Sequence, residues 1–186
     1  MNLPNKLTLM RIILVPFFML FLYWKIPFHF TMTLVIFAIA SITDALDGNI
    51  ARKRNLVTTF GKFADPLADK ILVLAAFACL ADICPNLVNG IVVTIIASRE
   101  FMVSGLRLVT AEKGVVVAAG IWGKLKTAFT MVAIVLILLN LVLSEDFQVL
   151  TMPDILLTVL VWISVLLTII SGAIYLKGYA KYIDMK

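Results

Sequence analysis

Histidine occurs once, as His29, and cysteine twice, as Cys79 and Cys84. A histidine-based metal site is therefore not available. The cysteines lie in or beside an apolar run and form no CxxC pair, so they read as ordinary buried or interfacial residues rather than a zinc or redox centre. Charge is also scarce, at 15% of residues, and acidic residues (11) are outnumbered by basic ones (16). There is no Gly/Ser linker, low-complexity tract or shift in composition. Residues 1–186 are accordingly expected to form a single domain.

What is abundant is apolar surface. Hydrophobic residues make up 62% of the chain, and the mean hydropathy is +1.08. A soluble domain holds roughly 45–50% apolar residues, so the excess points to a bilayer as solvent. Six apolar stretches read as membrane helices: Leu7–Tyr23, Phe28–Ala51, Gly61–Ala81, Leu87–Val109, Trp122–Leu143 and Ile155–Lys177. The first follows a short polar start and ends without a small-residue cleavage site, so it reads as a retained span rather than a cleaved signal. Ile26-Pro27, Cys84-Pro85-Asn86, Glu145-Asp146 and Met152-Pro153 supply the breaks. Tyr23, Trp24, Trp122 and Tyr175 fall near span ends, where aromatic rings favour the membrane interface.

The basic residues set the orientation. With six spans, Lys6, Arg11, Arg52, Lys53, Arg54, Lys62, Lys113, Lys124, Lys126, Lys177, Lys181 and Lys186 share one side with both termini. The opposite loops hold Lys25, with Asp82, Glu145, Asp146 and Asp154. Both termini are then expected in the cytoplasm, in the cell membrane. So little chain lies outside the bilayer that nucleic acid is not an expected partner. Basic groups at span ends either snorkel toward anionic headgroups or face phosphate in a cytoplasmic cavity.

Four aspartates carry the chemistry. Asp44 and Asp47 are three apart, and Asp65 and Asp69 are four apart, so each pair shares a helix face. A short loop between the second and third spans would bring both pairs to the cytoplasmic end of one helical hairpin. Each acid in a membrane helix costs about 2.5–3.5 kcal/mol, and four together repel. Hard oxygen ligands at this density suit Mg²⁺ or Mn²⁺. Gly48, Ala51 and Gly61 leave room for close approach of a helix or a ligand. Two plainer readings compete. Asp65 before Pro66 has the form of a helix N-cap, and the acids could instead pair with Arg52 or Arg54.

The spacing Asp44-x2-Asp47-Gly48-x2-Ala51-Arg52-x8-Gly61-x3-Asp65-x3-Asp69 resembles the signature of the CDP-alcohol phosphotransferase family at every defined position. The segments Pro4-Asn5-Lys6-Leu7-Thr8-Leu9-Met10-Arg11, Ser98-Arg99-Glu100, Ser104-Gly105-Leu106-Arg107 and Gly123-Lys124-Leu125-Lys126-Thr127 are similar to the branch that uses glycerol 3-phosphate. The resemblance implies an all-α, six-helix integral membrane protein, often dimeric, with a polar cavity open to the cytoplasm. It implies a divalent-metal site, of two ions, at Asp44, Asp47, Asp65 and Asp69, the first three as ligands and Asp69, beside the metals, as general base. CDP-diacylglycerol would be the donor, beside Asn5, Thr8, Arg11, Gly48, Ala51, Arg52 and Gly61. The acceptor would be sn-glycerol 3-phosphate, whose phosphate calls for cations; Arg99, Arg107, Lys124 and Lys126 are the candidates. Arg99 and Arg107, eight apart, share a helix face. Arg99 is not expected to pair with Glu100, because adjacent helix residues point apart. Another acceptor (inositol phosphate, serine or phosphatidylglycerol) and a divalent-cation transporter are the alternatives.

Overall fold

The computed structural model describes 3–54, 59–112 and 120–179; for 3–4, 44–54, 59–66, 69 and 111–112 it describes the backbone alone. The order is α1 (Leu3–Tyr23), α2 (His29–Arg54), α3 (Thr59–Ile83), α4 (Gly90–Glu112), α5 (Ile121–Leu141) and α6 (Asp154–Tyr179). No strand occurs among the described residues. A bilayer offers backbone amides no water, and a helix satisfies them within one segment. Serine and threonine follow the same rule: Thr33, Thr43, Thr110 and Thr168 each donate to the carbonyl four residues earlier.

Three helical segments are long and apolar enough to cross a membrane: Asn5–Tyr23, Ile121–Asp146 and Asp154–Tyr179. A shorter apolar stretch covers His29–Thr43. The exposed side chains say the same. On α6, Val159, Trp162, Leu166 (58% exposed) and Ile169 share one exposed apolar face that water would penalise and lipid would not.

The helices form two compact units, Met1–Leu80 with Ile134–Met152, and Ala81–Ala133 with Pro153–Lys186. In the first, α1 packs on α2. The buried positions of α1 are Asn5, Thr8, Arg11, Val15, Phe18 and Leu22, spaced three or four apart. Those of α2 are Phe30, Thr33, Phe37, Ala40 and Thr43, in the same rhythm. Phe18 and Phe37 meet with ring centroids 5.9 Å apart. The end of α5 widens into a π turn, Val142–Asp146. There the Asp146 carboxylate accepts from the Thr31 backbone N–H and hydroxyl, each at 2.7 Å. It thereby satisfies a first-turn donor of α2 that has no partner within its own helix. Asn140, buried in α5, accepts from the Met152 N–H at 2.7 Å and ties down the following loop.

In the second unit α4 packs on α6. Asn89 caps α4, its side-chain oxygen accepting from the Val92 N–H at 3.1 Å. The buried face of α6 runs Leu157, Val161, Ser164, Thr168, Ser171, Gly172 and Tyr175. Small residues there let helices approach closely, which favours association in lipid, where apolar burial supplies little driving force. Thr130 and Ser164 join α5 to α6 through their hydroxyls at 2.9 Å.

Candidate functional site

The four aspartates occupy helical backbone. Asp44 and Asp47 lie in the C-terminal half of α2 with Gly48, Ala51 and Arg52, and Asp65 and Asp69 lie in the N-terminal part of α3, after Gly61. Thr33, Phe37 and Ala40 are buried at intervals of four and three, and Asp44 and Asp47 take the next two positions of that register. On α3, Asp65 and Asp69 precede Leu72 and Ala76 in the same way. The side chains of these four acids, of Gly48, Ala51, Arg52 and Gly61, and the chain at 55–58 lie outside the described residues, and so does the expected convergence of the two pairs. The capping reading of Asp65 is settled by the backbone: α3 begins at Thr59, so Asp65 is a helix-interior residue and not an N-cap.

On α1, Asn5, Thr8 and Arg11 fall on the buried face, Thr8 at 0% and Arg11 at 1% exposure. Arginine is almost never fully buried without compensation. Its place about two turns into an apolar helix marks a polar region at that end of α1, in the unit that also holds both aspartate pairs. The helix starts at Leu3 rather than Leu7, so all three residues belong to it.

The second unit holds the basic candidates. Arg99 and Arg107 stand on α4, with guanidinium carbons 5.8 and 5.5 Å from the centroid of the same Tyr175 ring. Arg107 Nη2 donates to the Tyr175 hydroxyl at 3.0 Å. The expectation that Arg99 avoids Glu100 is wrong: Arg99 Nη1 donates to Glu100 Oε1 at 2.9 Å. Backbone directions diverge between neighbours, but two long side chains can curl back to one point, and an otherwise apolar helix offers a buried acid few alternatives. Lys126, on α5 and 4% exposed, donates to the same Glu100 oxygen at 2.6 Å. Lys124 is exposed. Arg99 Nε is buried and has no hydrogen-bond partner among the described residues.

Among the described residues, three cations stand against one carboxylate in this cluster, an excess of positive charge. Sequence reasoning found the cations and missed what holds them. Glu100 carried a signal, since an acid deep in an apolar helix demands a partner. Tyr175 was assigned to the membrane interface with Tyr23, Trp24 and Trp122. Those three are exposed as expected, whereas Tyr175 is 6% exposed and is corrected to a buried residue under two guanidinium groups. Its signal was its register with Ser164, Thr168 and Ser171 on α6.

Among the described residues no group of three or more His, Cys, Asp or Glu could hold a metal ion. The four aspartates, whose side chains lie outside the described residues, carry carboxylate oxygens, a chemistry that suits a hard divalent cation.

The CDP-alcohol phosphatidyltransferase family profile matches residues 1–170. The CDP-diacylglycerol–glycerol-3-phosphate 3-phosphatidyltransferase of Bacillus subtilis is 43% identical, covering 92% of this chain and 91% of that protein. The protein of the same name from Rickettsia bellii is 40% identical over 97% of both chains. That of Escherichia coli is 38% identical over 72% of this chain and 74% of its own. With the aspartate spacing complete and the match running through five helices and into the sixth, the chain belongs to the CDP-alcohol phosphatidyltransferase family.

Proposed function

We propose that this chain transfers the phosphatidyl group of CDP-diacylglycerol to sn-glycerol 3-phosphate, giving phosphatidylglycerophosphate and CMP. The observation that carries the reading is the near full-length similarity to enzymes named for that reaction, on a chain with the complete aspartate signature. In the reaction the acceptor hydroxyl oxygen bonds to the β-phosphorus of the donor. The bond from that phosphorus to the bridging oxygen breaks, and CMP leaves with the electron pair.

Asp44, Asp47, Asp65 and Asp69 would hold two divalent ions, Mg²⁺ or Mn²⁺, which when bound supply neutralisation of the diphosphate charge. Asp69 takes the proton from the acceptor hydroxyl. Gly48, Ala51 and Gly61 leave space for the cytidine diphosphate, with Arg52 beside it. Asn5, Thr8 and Arg11 line the donor headgroup from α1. Arg99 and Arg107 receive the acceptor phosphate, the planar guanidinium being suited to paired bonds with phosphate oxygens. Lys126 supports them through Glu100, and Lys124 is an outer contact. The excess positive charge of the α4–α5–α6 cluster supports this, because glycerol 3-phosphate arrives as an anion.

All six helices cross the cell membrane, 1–186 act as one membrane domain, and both termini and the site face the cytoplasm around a polar cavity. The distribution of lysine and arginine supports that orientation. The working form is a homodimer.

The test is CMP release by purified protein in detergent with CDP-diacylglycerol, glycerol 3-phosphate and Mg²⁺. Release should require glycerol 3-phosphate and stop on adding EDTA. Release driven better by serine, inositol phosphate or phosphatidylglycerol would reassign the acceptor. Ion flux into liposomes with no CMP release would replace the enzymatic reading by transport.

A further inference from the structure

We infer that Tyr175 is a positioning residue for the acceptor phosphate: it aligns Arg107 and Arg99 from beneath, its hydroxyl accepting from Arg107 and its ring face lying against both guanidinium groups. The inference rests on the reading that these arginines receive that phosphate.

Two guanidinium groups repel, and each sits on a long flexible side chain. Here both come within 5.8 Å of one ring centroid. The electron-rich ring face attracts cations, and the hydroxyl fixes the fork of Arg107 at 3.0 Å. Tyr175 is itself fixed. It ends the buried face of α6, and a Cβ at Gly123 of α5 would lie 3.8 Å from its ring. The stem of Arg99 is held as closely, since a Cβ at Gly172 would come within 3.1 Å of Arg99 Cγ. Among the described residues, one hydrogen bond from Arg107 goes to Tyr175 and one from Arg99 to Glu100, and Arg99 Nε has no partner. Both forks are thereby oriented without using all their donors, as a pair awaiting an anion requires.

A purely packing role for Tyr175 makes different predictions. The experiment is CMP release with each substrate varied separately, on the full chain carrying Tyr175→Phe, Arg107→Ala, or both. Tyr175→Phe keeps the ring and loses the acceptor oxygen. It should raise KM for glycerol 3-phosphate about threefold to tenfold, the scale of one hydrogen bond, and leave kcat and KM for CDP-diacylglycerol within about twofold. In the Arg107→Ala background the same change should add little, because Tyr175 acts through Arg107. Gly172→Ala, whose added Cβ would press on the Arg99 stem at 3.1 Å, should reproduce the selective rise with the tyrosine intact. Equal shifts in both KM values, no shift in either, or full additivity with Arg107→Ala would overturn the inference. Absence of glycerol 3-phosphate-dependent release from the unsubstituted enzyme would overturn the underlying functional reading instead, and is seen before any variant is made.

Discussion

Glu100 shows how a single acid can organise a largely apolar helix. It binds Arg99 and Lys126 through one oxygen, at 2.9 and 2.6 Å, with all three side chains largely buried. Replacing a buried ion pair by apolar residues is often harmless, but removing one partner leaves a charge stranded. Glu100→Gln is therefore expected to destabilise the protein by about 3–5 kcal/mol, read as a lower Tm in detergent; an unchanged Tm would show that solvent already compensates the two cations. Asp69 makes the opposite case, a residue whose loss should leave stability intact. Asp69→Asn keeps size and polarity but cannot accept the proton, so turnover should fall roughly 10²–10⁴-fold with little change in Tm. Wild-type turnover would remove Asp69 from the base role. The aspartates were legible in sequence because four acids at fixed spacing in apolar helices have few explanations. The partners of Arg99 and Arg107 were not, because Tyr175 is 68 residues from Arg107 and only the α4–α6 packing brings them together.

At the scale of elements, hydropathy located all six helices, with ends displaced by a few residues. The displacements have physical causes. Helices do not stop where hydrophobicity stops: α1 begins at Leu3 and α2 continues through Arg52 to Arg54, since polar residues complete the first and last turns outside the apolar region. What hydropathy could not show is how turns are tied. Asp146 reads in sequence as an acid in a loop, yet it holds the first turn of α2 from 115 residues away. Its two bonds to Thr31 replace what a local N-cap would supply. Asp146→Ala should cost about 1–2 kcal/mol, the range of a lost cap, seen as a lower Tm, while Asp146→Asn, which keeps an acceptor oxygen, should recover much of it. Equal losses in both variants would mean that the carboxylate charge, rather than the bond, matters.

At the scale of the whole molecule, three segments are long and apolar enough to span by themselves, while α4 carries Arg99, Glu100 and Arg107 along its length. A helix so charged enters a bilayer only if its polar groups are satisfied inside the protein, as the Glu100 pairs and the Arg107–Tyr175 bond do. On the six-span reading the site and the topology share residues: of the cations proposed to receive phosphate, Lys124 and Lys126 also belong to the basic set that orients the chain. The turn after α5, at the exposed Gln148, and the exposed Lys177 near the end of α6 should lie on opposite sides. With Cys79 and Cys84 replaced by serine, Gln148→Cys should react with a membrane-impermeant maleimide added to intact cells. Lys177→Cys should react only after permeabilisation. The reverse pattern would invert the orientation and separate the active site from cytoplasmic glycerol 3-phosphate. Labelling of both from outside would mean that α6 does not cross, leaving its apolar face of Leu166 and Ile169 to be covered by protein instead of lipid.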